Sequence, residues 1–437
     1  MNIAIYTLGC KVNQYETQAI EAELLRRGHT LVPFGAQADA YIINTCTVTA
    51  VSDSKCRNMI HRAQQHRPAA VVAVCGCYAQ TEPEAVAAMG VDLVGGSAGR
   101  MQFLDDLEAV AAARAAGEGE APPRPLVTAG SILTRRVFEE LPAGGLAGRT
   151  RAMLKVEDGC VNFCTYCIIP YARGPVRSLP LEKAVAQARR LAEEGYREIV
   201  LTGIEISSWG RELGQGLSLI DLTEALCTAV PALRVRLGSL EPRTITGDFC
   251  RRAAALPNLC PHFHLSMQAG CDAVLRRMNR KYDSARYYES VALLRGYFDR
   301  PAITTDMIVG FPGETEEEFS AGLDFIRRCA FSAMHIFPYS RRPGTPAAAM
   351  PDQVPQGVKK ERARRAAQAA AEMERAYLDS WVGARLPVLF EEEKDGLWQG
   401  HAPNYVLVRA AGSGLHNCLR EVRIDGVGPE GLLGTVL

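Results

Sequence analysis

Residues Glu157–Ser178 read EDGCVNFCTYCIIPYARGPVRS, which sets Cys160, Cys164 and Cys167 at spacing C-x3-C-x2-C. Thiolates are ligands for soft metals and for iron–sulfur clusters. A four-iron cube has four corners, and three cysteines this close, with no fourth nearby, leave one iron without a protein ligand. An open iron can be chelated by a small molecule that carries an amine and a carboxylate. Tyr166, just before the last cysteine, is placed to set its backbone beside an adenine. Two other readings of the same residues stay open: a zinc site, which wants a fourth His or Cys close by, and a disulfide with a spare thiol.

Working outward, 437 residues are enough for two to four domains, each with its own core. The 47% hydrophobic and 22% charged content is that of an ordinary globular chain, and a formal net charge of zero excludes a global field for nucleic acid. Any RNA contact must come from local patches. No window holds the run of apolar residues that a membrane-spanning helix needs. The start, MNIAIYTLGCKVNQ, lacks the basic and apolar regions of a signal peptide. Fourteen cysteines without such a signal imply a reducing, cytoplasmic location and metal ligation.

From residue 1 to 116, the runs IAIYTL, AYIINT, VVAVCG and VDLVGG read as buried strands. Amphipathic stretches at Glu16–Arg27, Ser52–Gln65 and Glu82–Met89 read as helices between them, giving a parallel α/β domain. Cys10, Cys46 and Cys77 follow the first three strands. The carboxyl ends of strands in an open α/β sheet form one ligand-binding rim, so three distant thiols converge into a second site one ligand short of four. Cys75 continues the apolar alternation and reads as a core thiol, whereas Cys77 lies past Gly76, where the chain leaves the sheet. Cys56, on a helix among polar residues, is given no role.

The wording LGCKVNQYET around Cys10, NTCTVT around Cys46 and CGCYAQ around Cys77, ahead of the C-x3-C-x2-C loop, resembles the methylthiotransferases of the radical S-adenosylmethionine (SAM) superfamily. Within that family it is similar to the branch acting on N6-threonylcarbamoyladenosine in tRNA, often called MtaB. The resemblance implies two [4Fe–4S] clusters, one held by Cys160, Cys164 and Cys167 and one by Cys10, Cys46 and Cys77. It also implies two SAM molecules per turnover, one as methyl donor and one as radical source. The implied product carries a methylthio group at C2 of the modified adenosine at position 37. The implied partners are the tRNA anticodon loop, an external flavodoxin- or ferredoxin-like electron donor and a sulfur donor the sequence does not name. The rival targets are isopentenyladenosine in tRNA and a ribosomal protein aspartate. Rivals of another kind are a radical SAM reaction in which the first cluster only carries electrons, and a non-catalytic iron–sulfur RNA-binding redox sensor.

Residues 117–150, rich in Pro and Gly, read as a linker with room for one short strand or helix. From 151 to 375, six strand-like runs alternate with helices, the pattern of a partial (β/α)6 barrel whose ligands gather at the carboxyl ends of the strands. By residue type, Gly203, Gly310 and Gly313 let backbone approach SAM. Glu205 or Glu241 suits its ammonium group, Ser239, Ser266 and Gln268 suit its polar edge and ribose, and Ile308 packs beside adenine. Glu314 alternatively caps the following helix. Arg173 and Arg177 suit an RNA phosphate, the SAM carboxylate or a solvated surface. Arg277, with Arg276, Arg280 and Lys281, suits the anticodon loop by phosphate pairing. Arg341 and Arg342, beside the basic helix that carries Lys359, Lys360, Arg362, Arg364 and Arg365, suit the RNA backbone or a solvated face.

Residues 376–437 read as a five-stranded antiparallel barrel that resembles the family's TRAM domain. Five Lys and Arg against eight Asp and Glu from Asp379 onward make it acidic. RNA binding there would rest on a local edge, with Tyr405 or Trp398 stacking on bases. The fold expected is thus α/β: an N-terminal parallel α/β sandwich, a central partial (β/α)6 barrel and a small C-terminal β-barrel.

Overall fold

Six short apolar runs pair into one parallel sheet. They are β1 (Asn2–Thr7), β2 (Thr30–Val32), β3 (Ala40–Thr45), β4 (Val71–Gly76), β5 (Leu93–Val94) and β6 (Leu126–Val127), in the order β2-β1-β3-β4-β5-β6. The computed structural model describes residues 1–66, 69–116, 125–142, 144 and 150–437. Strands β3 and β4 are buried along their whole length, as central parallel strands between two helix layers must be. On one face Tyr41, Ile43, Val72 and Val74 pack with Ile60 and Ala63 of α2 (Ala50–His66). On the other, Ile42 and Ala73 pack with Ile20 and Leu24 of α1 (Lys11–Arg26). The short helices α3 (Cys77–Thr81) and α4 (Pro83–Ala87) follow β4.

Three features depart from the sequence reading. Strand β2 and helix α5 (Arg100–Ala115) were not foreseen. Helix α1 starts at Lys11, not Glu16, because Cys10 supplies an extended N-cap, and Val12 and Tyr15 are already buried in the first turns. Strand β6 is the one short element that the linker reading left room for, and it pairs with β5; residues 117–124, 143 and 145–149 of that stretch lie outside the described residues.

The chain divides into two compact units. One gathers the described residues of 1–146 with 155–179 and 340–348; the other gathers those of 147–154 with 180–339 and 349–437. The cysteine loop therefore belongs to the first unit, where the hairpin β8 (Glu157–Asp158) and β9 (Arg177–Ser178) closes its base and α6 (Ile169–Arg173) follows the last cysteine.

The six expected barrel strands form, with one break. Strands β7 (Arg151–Lys155), β10 (Glu198–Thr202) and β11 (Arg234–Arg236) make one sheet, in the order β11-β10-β7. Strands β12 (Ser239–Leu240), β13 (His262–Leu265), β14 (Ala302–Val309) and β15 (Ala333–Pro338) make the next, all parallel. The break between β11 and β12 falls at Gly238, where an added Cβ would lie 2.7 Å from the Leu201 carbonyl oxygen. Helices α7 (Leu181–Glu193), α8 (Leu219–Ala229), α9 (Gly247–Ala254), α10 (Asp272–Arg277), α11 (Ser284–Tyr297) and α12 (Glu316–Cys329) connect the strands. The long α14 (Gln356–Asp379) comes after the short α13 (Pro346–Ala349).

The last five strands, β16 (Arg385–Lys394), β17 (Leu397–His401), β18 (Leu407–Ala410), β19 (Leu419–Gly428) and β20 (Gly431–Val436), close into a barrel around Val388, Phe390, Val408, Val422 and Leu432. The barrel is not wholly antiparallel: β18 and β20 run parallel. An odd number of strands cannot alternate direction all the way round a closed ring. Among the described residues, no helix is long and apolar enough to cross a membrane.

Candidate active site

The ends of β1, β3 and β4 lie side by side, since Thr7 pairs with Asn44, and Asn44 and Thr45 pair with Cys75 and Gly76. Cys10, Cys46 and Cys77 each come just after one of these strands. Gly9 (φ +120°) runs so close to Cys46 that an added Cβ would sit 2.9 Å from the Cys46 Cβ and 3.1 Å from its Sγ. Asn13 ties two of the ligand loops together, its Nδ2 donating to the carbonyls of Leu8 and Thr45 at 2.8 Å each. Burial pushes the Cys77 thiol up to about 12; Arg173 pulls it down, while Cys10 and Cys46 add to the rise, so the three thiols share one field.

Among the described residues no two cysteines are joined by a disulfide. Among the described residues, no three Cys, His, Asp or Glu side chains are grouped to hold a single metal ion. A cube takes each thiolate on a different iron, which asks for a wider triangle than one ion does. The converging, mostly buried thiols with a guanidinium beside them suit that group. Cys75 is wholly buried in the sheet's core, and burial raises its thiol to about 11, as expected of a core cysteine. Cys56 departs from the reading of a helix position among polar residues: it is fully buried, and its Sγ donates to the Cys46 carbonyl at 3.4 Å.

Arg173 and Arg177 do not face RNA or solvent; both are buried. Arg173 donates from Nε to Cys77 Sγ at 3.2 Å and from Nη2 to Asn13 Oδ1 at 2.7 Å, and it ion-pairs with Glu16. Glu16 also receives Arg100 at 2.7 Å and Lys155 at 2.9 Å. Burial opposes its charge, but Arg100, Arg173 and Lys155 together hold the carboxyl well below its ordinary range. Asp158 completes the network, meeting Lys155 at 2.8 Å and Arg177 at 3.2 Å. Such a group keeps its charges only because each has a partner of opposite sign and hydrogen bonds to match. Arg342 is corrected likewise: it is buried against Asp53 and Thr47, next to Cys46 in sequence. Arg341 is exposed and donates from Nε to the Ala348 carbonyl at 2.8 Å.

The cysteine loop is held by its backbone. Cys160 N–H donates to the Gly174 carbonyl at 3.0 Å and Cys167 N–H to that of Cys164 at 2.9 Å. Gly159 (φ +92°), just before Cys160, and Phe163 (φ +47°), just before Cys164, take positive-φ conformations. Cys164 is buried, whereas Cys160, Tyr166 and Cys167 are half-exposed.

The residues expected to line SAM belong to the second unit. Gly203 follows β10, Ser239 is exposed in β12, Ser266 follows β13, and Ile308 lies in β14. Glu205 and Glu241 both cap their own turns: Glu205 accepts from Ser207 N–H at 3.1 Å and Ser208 Oγ at 2.7 Å, and Glu241 accepts from Arg243 Nε at 2.9 Å. Gln268 (φ +68°) exchanges backbone hydrogen bonds with β14, donating to Asp306 O and accepting from Ile308 N–H. Gly313 (φ +70°) donates its N–H to Asp352 O. Gly310 departs from its expected role, because the space beside its Cα is filled by the Lys359 side chain.

Most of the residues expected to meet RNA are engaged elsewhere. Arg277 pairs with Glu318, with Nη1 at 2.9 Å. Lys359 is buried and donates to the Tyr339 carbonyl at 3.1 Å, and buried Arg362 pairs with Glu314 at 2.9 Å. Arg364 pairs with Glu361 and Arg365 with Glu316. Tyr405 is stacked by His401 (ring centroids 4.7 Å apart) and His262 (5.0 Å), and the Arg236 guanidinium lies 4.8 Å from its ring centre, so it offers no platform for a base. Trp398 packs against the barrel core.

Sequence reasoning passed over Asn13, Glu16, Arg100, Lys155 and Asp158, which hold the first thiol site in place. The only local signal was polar residues inside otherwise apolar stretches, such as Lys155 in the strand run MLKVEDG.

Residues 2–96 match the Uncharacterized protein family UPF0004 and residues 154–326 the Radical SAM superfamily. The chain is 40% identical over 413 residues to the threonylcarbamoyladenosine tRNA methylthiotransferase MtaB of Bacillus subtilis, covering 93% of this chain and 89% of that one. It is 36% identical to the MtaB of Aquifex aeolicus, covering 94% and 97%. It is 33% identical to a tRNA-2-methylthio-N(6)-dimethylallyladenosine synthase of Pelotomaculum thermopropionicum, covering 90% and 87%. Among solved structures, the radical SAM methyltransferase TsrM of Kitasatospora setae shares the fold, with a TM-score of 0.56 at 15% identity over 90% of this chain and 79% of that one.

Proposed function

The chain belongs to the MtaB family of threonylcarbamoyladenosine tRNA methylthiotransferases within the radical SAM superfamily, and from that membership we propose that it places a methylthio group on C2 of N6-threonylcarbamoyladenosine at position 37 of tRNA. The family's chemistry implies a [4Fe–4S] cluster and SAM. Our reading goes further and assigns two clusters, to Cys160, Cys164 and Cys167 and to Cys10, Cys46 and Cys77. Within it, residues 1–116 carry the second cluster, 117–150 connect, 151–375 form the radical SAM core and 376–437 the TRAM-like barrel.

The observation that carries the reading is the joining of the two cysteine sets inside one unit: Arg173, which ends the helix after the C-x3-C-x2-C loop, donates to Cys77 Sγ at 3.2 Å. Bound there, the clusters and SAM supply radical and sulfur chemistry that no side chain here can provide, because adenine C2–H is neither acidic nor open to nucleophiles. The chain's own residues ligate, orient and exclude water. Asn13 and Gly9 bring the Cys10 and Cys46 loops together. The Glu16 network fixes Arg173 so that its guanidinium offsets the charge of a ligating thiolate. In this reading Tyr166 and the strand ends at Gly203, Ser239, Ser266, Gln268, Ile308 and Gly313 border SAM. Glu205 and Glu241 hold the turns that present them. The electron donor is external and flavodoxin- or ferredoxin-like, and the enzyme is cytoplasmic, as its tRNA substrate requires.

The test is anaerobic reconstitution with iron and sulfide counting, followed by assay on tRNA bearing the threonylcarbamoyl group. Cys10→Ala is expected to retain half of the iron, to form 5′-deoxyadenosine still, and to yield no methylthiolated nucleoside. Iron content equal to wild type in that variant, or wild-type product on isopentenyladenosine or a ribosomal protein instead, would overturn the reading.

A further inference from the structure

Strand β14 has two faces of different character. Thr305 accepts the Tyr287 hydroxyl of α11 at 3.2 Å, and Met307 Cε lies 3.4 Å from where a Cβ of Gly322 in α12 would stand, so this face meets the helices. Thr304, Asp306 and Ile308 therefore point to the concave side, where they are half-exposed. Parallel register sets neighbours on that same side: His264 beside Thr304, His335 beside Asp306, and Phe337 beside Ile308.

Toward the amino-terminal ends of the strands this concave side is closed. Arg236 pairs with Glu198 at 2.7 Å, and Tyr405 stacks on His262. Toward the carboxyl ends it is open. His335 is exposed and Phe337 is 48% exposed, although both sit inside a regular strand of a barrel sheet. The side chains below them form a polar floor. His264 reaches Asp306 through Nε2 at 3.3 Å and Thr304 through Nδ1 at 3.0 Å, and its ring lies 6.4 Å from that of His335, which lies 6.4 Å from that of Phe337. Burial raises the Glu374 carboxyl on α14 while His335 pulls it the other way, so a further acidic group stands within electrostatic reach of that imidazole.

We propose that Phe337, His335 and Asp306 form the subsite that receives the target adenosine, with the base stacked on Phe337 and its N6 substituent read by His335 and Asp306. The proposal rests on the function proposed above and adds the residues that select the substrate. A base modified at C2 has to leave the anticodon stack to be reached, and an exposed ring is the usual platform for an unstacked base. The threonylcarbamoyl group carries a carboxylate, a hydroxyl and urea N–H groups. The imidazole of His335 donates to the carboxylate, and the Asp306 carboxylate accepts from a hydroxyl or N–H. An isopentenyl group in the same place would strip water from two imidazoles and a carboxylate and give nothing back, which is strongly unfavourable. A surface built this way rejects the apolar analogue more firmly than an apolar pocket rejects a polar one.

The experiment uses full-length reconstituted enzyme and three anticodon stem-loops, with threonylcarbamoyladenosine, unmodified adenosine or isopentenyladenosine at the target position. The readout is the ratio of kcat/KM and of Kd between them. His335→Ala is expected to lower the preference for threonylcarbamoyladenosine over both competitors by about tenfold or more, as expected when a site built to hydrogen-bond loses its partner. His335→Gln, which keeps a donor, is expected to restore part of it. Phe337→Ala is expected to weaken all three stem-loops together. Iron content and thermal melting show that each variant is folded and loaded. A His335→Ala enzyme with wild-type preference would overturn the subsite alone. Wild-type enzyme with no preference for the threonylcarbamoyl substrate would overturn the subsite and the proposed function together.

Discussion

The Arg173 guanidinium donates to the Cys77 sulfur at 3.2 Å across 96 residues of sequence. The same side chain pairs with Glu16 and reaches Asn13 Oδ1 at 2.7 Å. One buried cation thus touches a thiol of the first site, the carboxylate that anchors the network and the amide that joins the Cys10 and Cys46 loops.

Removing that cation leaves Glu16 and Asp158 with fewer partners in a dry interior. Arg173→Leu is expected to cost about 3–5 kcal/mol of stability, read as a lower urea midpoint of the anaerobic protein. Arg173→Lys keeps the charge without the planar fork. It is expected to cost less stability, but to release iron faster to a chelator. A leucine variant that unfolds like wild type would show that the network carries no such weight.

Gly76 separates Cys75 from Cys77 at φ +99°, and an added Cβ would lie 2.6 Å from Asn44 Oδ1 and 2.7 Å from the Thr45 nitrogen. Gly76→Ala must move the backbone next to Cys46 as well as its own. We expect a loss of roughly 1–3 kcal/mol from the strained conformation, together with loss of iron from the Cys10, Cys46 and Cys77 site. Retention of the full iron count in this variant would place that cluster elsewhere.

Glu198 provides a pH test. Burial raises its carboxyl, but Arg236 and Arg234 pull harder and bring it to about 2. Its folded value is below the unfolded one, so the stability it contributes is complete above the ordinary carboxylate range and is lost as pH falls toward about 2. That loss amounts to roughly 3 kcal/mol. Glu198→Gln is expected to be less stable than wild type at neutral pH, with two buried guanidiniums unpaired, yet to lose less on acidification. Parallel chemical denaturation of the two proteins from pH 7 to pH 3 reads the difference in slope.

The elements that were legible in the sequence are those whose signal is local. Apolar runs marked the strands β1, β3, β4 and β5, because a buried parallel strand must be apolar on both faces, and strand-like runs between helices marked the six barrel strands, whose inner face also carries polar residues such as Asp306. The cysteine loop was legible for the same reason: its three thiols lie within eight residues of one another. Cys75 read as a core thiol because it continues the apolar alternation, and the structure buries it in the sheet. Strand β6 was legible only as a short strand or helix somewhere in the linker, since two exposed residues, Leu126 and Val127, become a strand only by pairing with β5.

Charge was where sequence reasoning failed most often. Arg173, Arg177, Arg277, Arg342, Lys359 and Arg362 read as candidates for solvent or RNA, and each is instead held by a partner inside the protein. Tyr405 read as a stacking platform and is already stacked. The sequence by itself determined which residues are apolar, which are thiols, and how they are spaced, and those properties act over one turn or one strand. Only the tertiary structure decided which cations meet Glu16, Asp53, Glu314 and Glu318. A long charged side chain has no fixed direction until the fold places an opposite charge within reach, and that partner comes from a distant part of the chain.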